Sequence, residues 1–222
     1  MGEAQAASSG KAKTTVNVNE SKVYLFNKRL IDIMGSLAGL IFLSPLFLLI
    51  AILIKLEDRN GPVFFKQVRV GKNEKEFHML KFRSMVSNAE ELLESLLEQN
   101  EVSGAMFKMK DDPRVTRIGK FIRKTSIDEL PQLINVLKGE MSLVGPRPPL
   151  PREVKEYTEY EKQRLLVIPG CTGLWQISGR SNIGFREMVE LDLTYVENRT
   201  VWFDIKIITR TFLVLLGSKD AF

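Results

Sequence analysis

The chain has 222 residues, 44% of them hydrophobic, which is enough for one domain with a buried core. Its net charge of +5 favours anionic partners such as phosphates, acidic lipids or nucleic acid. The single cysteine, Cys171, excludes an intrachain disulfide, and the single histidine, His78, argues against a zinc protein.

Residues 1–20 form a tail that is rich in Ala, Ser, Gly, Lys and Asn and has no apolar period. This composition predicts disorder. The tail is not a signal peptide, because the apolar run begins too late and lacks a small-residue cleavage site.

Residues 21–60 contain an uncharged run, Ile33 to Ile54, in which only Ser36 and Ser44 are polar. A straight helix of this length would rise about 33 Å, enough to span a bilayer. However, Pro45 breaks the helix at its middle, and both flanks are basic, which favours a re-entrant hairpin with both ends on the cytoplasmic side. From the residues alone, the hairpin and a kinked spanning helix both stay open.

Two strand-like runs, Val63 to Val70 and Glu76 to Met85, predict a β-hairpin because turn residues separate them. Lys81 and Arg83 alternate with apolar residues, so both cations lie on one face of the second strand. A solvated edge and a ligand-binding face fit this alternation equally well.

Ser87 to Asn100 reads as an acidic amphipathic helix that serves packing. Lys108 to Lys124 then carries seven basic residues and leads into two adjacent carboxylates, Asp128 and Glu129. Such a run is usually a solvated face. Cations beside two carboxylates would also keep them ionised and attract a pyrophosphate, and Arg123 is the best-placed candidate.

The two carboxylates open an apolar helical pattern that ends at Gly139. Ser126 and Glu129 match a capping box, which is the structural alternative to a reactive pair. Pro131 restricts where the helix begins, since proline is tolerated only in the first turn. Spacing alone therefore fits a capped helix, a metal site or a catalytic pair.

Beyond this helix, the run GPRP presents Arg147 from a rigid turn, and its guanidinium fork suits phosphate oxygens. The glycine-punctuated loop Pro169 to Arg180 offers Trp175, Gln176 and Arg180 as ligand contacts, although a core position is equally compatible with the tryptophan. Helices are predicted at Phe185 to Val196 and Val201 to Leu216, and the second suits a membrane interface as well as a core.

Several runs resemble, in one order, the bacterial sugar transferases called monotopic phosphoglycosyl transferases. These enzymes move a sugar-1-phosphate from a nucleotide sugar to a polyprenyl phosphate in the membrane. The similarity covers the chain from about Lys28 to its end, and several long motifs in a common order are more specific than one short pattern. The runs are KFRSM, DPRVTRIG, RKTSIDELPQLINVLKGEMSLVGPRP and PGCTGLWQISGR.

The resemblance implies a covalent route in which Asp128 is the nucleophile and Glu129 binds Mg²⁺ with help from Asp128. The run WQISGR resembles members that handle galactose or glucose, so a UDP-sugar of that type is expected, with release of UMP. The implied substrate-phosphate ligands are Arg123, Arg147, Lys81 and Arg83, and the implied nucleotide or sugar contacts are Trp175, Gln176 and Arg180.

The expected fold is α+β, with a re-entrant membrane helix hairpin over residues 21–60 that breaks at Ser44 and Pro45. Residues 61–222 are expected to form a small helical catalytic domain with a β-hairpin and an interfacial C-terminal helix. Larger family members carry further spanning helices and another domain, so this chain resembles the minimal catalytic form, at the cytoplasmic face of the bacterial inner membrane. The expected partners are a UDP-sugar, undecaprenyl phosphate and the membrane, without nucleic acid; a homodimer stays open.

Two other classes of protein fit part of the sequence. A membrane-anchored basic module for acidic lipid or nucleic acid would explain the charge and the apolar run, but not the acids within the basic run or the GPRP turn. A polytopic phosphosugar transferase needs many spanning helices, and this sequence has one candidate.

Overall fold

A computed structural model describes residues 15–93, 96, 109, 112–179 and 183–217. Its mixture of helices and small sheets confirms the α+β class. The helices are α1 (Lys22–Phe42), α2 (Ser44–Glu57), α3 (Ala89–Leu93), α4 (Arg117–Lys124), α5 (Gln132–Lys138), α6 (Pro151–Val154), α7 (Glu159–Lys162), α8 (Leu174–Ser178), α9 (Phe185–Asn198) and α10 (Val201–Gly217). The strands are β1 (Phe64–Val70), β2 (Glu76–Phe82), β3 (Ser142–Val144) and β4 (Gly170–Thr172).

Helices α1 and α2 form a pair that is bent by 59°. The bend lies at Leu43, directly before Ser44 and Pro45, and the Ser44 hydroxyl donates a hydrogen bond to the carbonyl of Ile41 at 2.8 Å. Pro45 falls in the first turn of α2, where its missing N–H costs no helical hydrogen bond. By length and composition, no described helix qualifies alone as a membrane span, whereas this bent pair does so jointly.

Helix α1 buries a polar stripe and exposes its apolar side chains. Tyr24, Lys28, Asp32 and Ser36 recur every four residues and are all buried against the rest of the protein. This is the reverse of a helix that packs on a core in water. The outward side chains, at least 38% exposed, include Val23, Leu25, Phe26, Leu30, Ile33, Met34, Leu37, Ile41 and Phe42.

Strands β1 and β2 pair antiparallel, with Phe65 opposite Lys81 and Gln67 opposite Met79, which confirms the predicted hairpin. The second strand ends at Phe82 rather than at Met85. Strands β3 and β4 pair in parallel and place the GPRP turn, which follows β3, beside the segment that leads from β4 into α8, the helix that carries Trp175.

The capping-box alternative for Ser126 and Glu129 does not form in the structure. Ser126 adopts a left-handed conformation with φ 55° and makes no side-chain cap, and the segment Ile127–Glu129 is a 3₁₀ turn. Helix α5 begins only after Pro131 and ends at Gly139, whose φ of 80° confirms the predicted stop. The two acids therefore lie on a tight turn between two helices, because the proline displaces the helix start.

Part of the predicted tail contacts the domain. Val16 and Val18 contact the core around Val144 and Tyr195, and the Val16 N–H donates to Gln163. Residues 1–14, residues 94, 95 and 97–100 of the predicted helix Ser87 to Asn100, and much of the basic run before Asp112 lie outside the described residues. The two C-terminal helices are present as predicted.

Candidate active site

A cavity of about 1370 Å³ opens between the hairpin, α4, the GPRP turn and α8. It brings together side chains that are far apart in the chain, and eight of the nine residues predicted to act on the substrate line it. These are Lys81, Arg83, Arg123, Asp128, Glu129, Arg147, Trp175 and Gln176. The ninth, Arg180, lies outside the described residues.

The acid pair forms part of the cavity wall, and its two members have different surroundings. The Glu129 carboxylate accepts a hydrogen bond from the Lys81 ammonium at 2.7 Å. Asp128 is only 8% exposed, and no other described residue donates a hydrogen bond to it. Glu129 is therefore held in place by Lys81, while Asp128 is buried and accepts no hydrogen bond from any other described residue.

Burial raises the pKa of Asp128 to about 6, and the neighbouring charge of Glu129 also raises it, against the opposing effect of Lys81 and Arg123. Burial acts on Glu129 in the same direction. The cations Lys81 and Arg147 outweigh it and hold the pKa of Glu129 below its usual value. The site thus contains one firmly ionised carboxylate and one whose charge is poorly compensated by the protein.

Arg123, in the last turn of α4, donates from Nε to the hydroxyl of Ser84 at 2.9 Å, and so its guanidinium has a fixed position on the cavity wall. Arg147, in the GPRP turn, also lines the cavity, with its guanidinium carbon 6.0 Å from the centre of the Trp175 ring. Two guanidinium groups from separate elements thus face the acid pair.

Arg83 lines the same cavity but is already engaged. It donates to the Asp58 carboxylate at 2.6 Å and to the Asp58 carbonyl at 2.7 Å. Its role as a phosphate ligand stays a prediction, and the contacts that the structure gives it are those of a side chain holding two segments together.

The two adjacent carboxylates are oxygen donors of the kind that Mg²⁺ prefers. Among the described residues, no group of three His, Cys, Asp or Glu side chains is arranged to hold a metal. A Mg²⁺ ion here would depend on substrate phosphate oxygens to complete its shell, which is common for this ion. The poorly compensated charge of Asp128 fits a cation at this position, and Mg²⁺ binding stays a prediction.

Comparison with known proteins identifies the family of the chain. The family model described as bacterial sugar transferase matches residues 23–218. The chain belongs to the bacterial sugar transferase family. The match includes all of the bent helix pair except Lys22, and every described residue that lines the cavity.

Three relatives of this bacterial sugar transferase illustrate the range of sizes. It is 51% identical to "Galactosyl transferase CpsE" of Streptococcus agalactiae, over 88% of this chain and 43% of that protein. It is 46% identical to "Undecaprenyl-phosphate galactose phosphotransferase" of Salmonella typhimurium, over 89% and 42%. It is 41% identical to "Exopolysaccharide production protein ExoY" of Rhizobium meliloti, over 88% of each chain. The chain therefore spans less than half of the first two relatives and most of the third.

Sequence reasoning missed two residues of this sugar transferase that face the cavity from β1. Gln67 and Arg69 both line it, and Arg69 is buried, donating to the Pro148 carbonyl at 2.9 Å and to Gln67. Burial lowers the pKa of Arg69 to about 10, and the positive charge of Arg147 acts in the same direction. The alternation along the strand contained the signal, since Phe65, Gln67 and Arg69 share one face.

A second missed feature is a buried ion pair that lies next to the backbone of Arg147. Arg164 is buried in an ion pair with Asp192 of α9, and it donates to the Tyr157 hydroxyl at 3.1 Å. Its other terminal nitrogen lies 3.5 Å from the Arg147 carbonyl. This pair fixes the GPRP turn relative to α9.

Trp175 and Gln176 lie on the short helix α8, half-buried at the cavity wall. Gln176 donates to the Cys171 carbonyl at 3.2 Å. Within the described part of the chain, neither the indole N–H of Trp175 nor the amide oxygen of Gln176 has a hydrogen-bond partner. The expected contact of these residues with nucleotide or sugar is compatible with this position.

Proposed function

We propose that the chain transfers a sugar-1-phosphate from a UDP-sugar, of galactose or glucose type, to undecaprenyl phosphate. The relatives' names support the lipid acceptor and the galactose donor. The observation that carries the proposal is the acid pair, in which Asp128 is buried and uncommitted on the wall of a cavity lined by several cations. Such a carboxylate is suited to attack a phosphorus whose charge those cations offset.

In the first step, a carboxylate oxygen of Asp128 attacks the phosphorus that bears the sugar. An oxygen–phosphorus bond forms, the bond from this phosphorus to the bridging oxygen breaks, and UMP leaves with that oxygen. Lys81, Arg123 and Arg147 stabilise the negative charge on the transferring and leaving phosphates. Asp128 and Glu129 would hold Mg²⁺, which when bound supplies further neutralisation of the pyrophosphate charge.

In the second step, a phosphate oxygen of undecaprenyl phosphate attacks the same phosphorus. The aspartyl–phosphorus bond breaks, and Asp128 regains its carboxylate. The product is a sugar joined to the lipid through a diphosphate, and its formation initiates the assembly of a polysaccharide or glycoconjugate.

The test is a single-turnover assay on purified full chain with Mg²⁺ and a panel of UDP-sugars, without lipid. One equivalent of UMP per active site should appear as a burst, because the covalent intermediate accumulates. The protein should gain the mass of one sugar phosphate, on the peptide that contains Asp128. UMP release only after undecaprenyl phosphate is added would instead indicate direct displacement, with the acids acting through metal alone.

Two variants act as controls in this assay. Asp128→Asn keeps the shape and removes the nucleophile, so burst and adduct should both vanish while the protein still floats with vesicles. Glu129→Gln should lower the rate and weaken the dependence on Mg²⁺. If vesicle binding survives and wild-type chain transfers no sugar from any donor, the chain acts as a membrane-anchored binding module.

The membrane arrangement that accompanies this function is a re-entrant hairpin formed by α1 and α2, with the cavity on the cytoplasmic side. The outward apolar side chains of α1 support it, as do those of α2 and α10, where Leu48, Leu56, Trp202, Phe212 and Leu213 are more than 60% exposed. Apolar surface of this extent is stable when it faces lipid.

Cysteine labelling tests this topology. Single cysteines at Asn27 and Asn60, in a Cys171→Ser background, should both react with an impermeant thiol reagent only from the cytoplasmic side. Reaction of either cysteine from the outside would identify a spanning helix. Replacing Pro45 by leucine should shift the labelling of one site to the outside, since it removes the cause of the break.

A further inference from the structure

The last residue of α2 caps the helix that carries Arg123. The two carboxylate oxygens of Glu57 accept hydrogen bonds from the backbone N–H groups of Arg117, at 2.7 Å, and Ile118, at 3.0 Å. The N–H of the next residue donates to the Thr116 hydroxyl at 2.9 Å. Helix N-termini normally leave these donors unsatisfied. Here the membrane hairpin supplies two of the three acceptors.

The residue after Glu57, Asp58, binds Arg83, which directly follows β2. Asp58 accepts from the Arg83 guanidinium and from the N–H of Ser87 at 3.2 Å. A Cβ atom added to Gly61 would lie 1.7 Å from the guanidinium of Arg83, so only glycine leaves room for this pairing. The segment that leaves α2 is therefore fixed to α4 on one side and to β2 on the other.

An apolar cluster lies beneath these polar contacts. Ile50 and Ile54 of α2 pack in it with Phe82 and Ile122, and Ile127 packs at its edge. Phe82, Ile122 and Ile127 directly neighbour Lys81, Arg123 and Asp128, respectively, in the chain. The hairpin thus shares one apolar cluster with the residue beside each of three predicted site residues, although no residue of α2 is among the described residues that line the cavity.

We propose that Glu57 is a positioning residue that couples the membrane hairpin to the acid pair. It fixes the first turn of α4 and thereby the position of Arg123 relative to Asp128 during transfer of the phosphosugar. This inference rests on the proposed function, because it concerns the rate of that reaction. The charge of a carboxylate and its two oxygens suit the position, since acids are favoured at helix N-termini and both N–H groups need an acceptor.

The test measures steady-state kcat and KM for UMP release with full chain in lipid nanodiscs that contain undecaprenyl phosphate. Glu57→Ala should lower kcat about 10-fold or more with KM for the UDP-sugar unchanged, because a shift of about 1 Å in a catalytic group costs up to 10²-fold. Glu57→Gln keeps one acceptor oxygen and should lose less. The matched control is Glu159→Gln, an acid in an exposed pair with Lys162, which should behave as wild type.

A structural or anchoring role would give another pattern. Wild-type kcat in Glu57→Ala, or a loss of vesicle flotation that parallels the loss of rate, overturns the inference. If the alanine variant does not fold, the glutamine variant decides: a reduced kcat at constant KM supports positioning, and a wild-type kcat overturns it. If the wild-type chain itself releases no UMP, the proposed function fails instead.

Discussion

The protein buries carboxylates in two contrasting environments. Asp204, on α10, accepts hydrogen bonds from the hydroxyls of Tyr24, at 3.1 Å, and Tyr195, at 2.7 Å, and pairs with the Lys28 ammonium at 3.0 Å. Asp128 is almost as deeply buried, yet no other described residue donates to it. A saturated carboxylate holds elements together, whereas an unsaturated one retains its lone pairs for a substrate or a cation.

Asp32 belongs with the first of these environments. It accepts from the Ser142 hydroxyl and from the N–H of Leu143, each at 2.9 Å, and so joins α1 to β3. Lys28 adds a hydrogen bond to the Val144 carbonyl at 3.0 Å. The polar stripe of α1 therefore replaces the apolar packing by which a helix usually docks, and its opposite, apolar face stays exposed.

The largest effect on the transfer rate is expected at Asp128, the buried carboxylate to which no other described residue donates. Asp128→Asn should reduce transfer about 10⁴-fold or more, the scale of removing a nucleophile. It should not lower the free energy of unfolding. The pKa of Asp128 is raised in the fold from 3.8 to about 6, so its ionisation increasingly opposes folding as the pH rises from 3.8 to 6, and above pH 6 a neutral amide removes that cost. A transfer assay and denaturant unfolding, both at pH 7.5, check the two halves.

Asp204→Asn should do the opposite. It leaves the Lys28 ammonium buried without its carboxylate, and breaking such a pair lowers the free energy of unfolding by about 3–5 kcal/mol. In denaturant unfolding, Glu159→Gln serves as the exposed control, with an expected change of about 0.5 kcal/mol or less. Equal stability of Asp204→Asn and wild type would abolish the distinction between the two environments.

The local patterns of the sequence predicted much of the fold. Alternation and turn residues gave the β1–β2 hairpin, and Gly139 marked the end of α5. The motif resemblance assembled the candidate site, and eight of its residues share one cavity. These features depend on neighbours in the chain or on a known motif, which is why they were accessible.

Pairing between residues that are far apart in the chain could not be predicted from the sequence. The sequence assigns no partner to Lys28 or Asp32, because their partners lie on β3 and α10, more than 100 residues away. The four-residue spacing of the polar stripe was visible, but it does not say which residues complete it. Arg69 was missed because an isolated cation in a strand resembles a solvated one.

Next in size are the two guanidinium groups that face the acids. Arg123→Ala and Arg147→Ala should each lower the transfer rate about 10²–10³-fold, the loss typical of one preorganised charge-stabilising group. Lysine should restore part of the rate, because the charge returns without the bidentate fork. Steady-state kinetics with a UDP-sugar decide this, and near-normal activity in an alanine variant would remove that arginine from the site.

The smallest effect concerns Trp175, whose ring lies 6.0 Å from the guanidinium carbon of Arg147. If the ring acts by holding that guanidinium, Trp175→Phe should lower the rate fivefold or less, matching the ~0.5–1 kcal/mol of a cation–π contact. A double-mutant cycle separates this from direct contact with substrate. In an Arg147→Ala background, Trp175→Phe should have no further effect on the rate. A full effect in that background would mean that the ring contacts the nucleotide or the sugar itself, independently of the arginine.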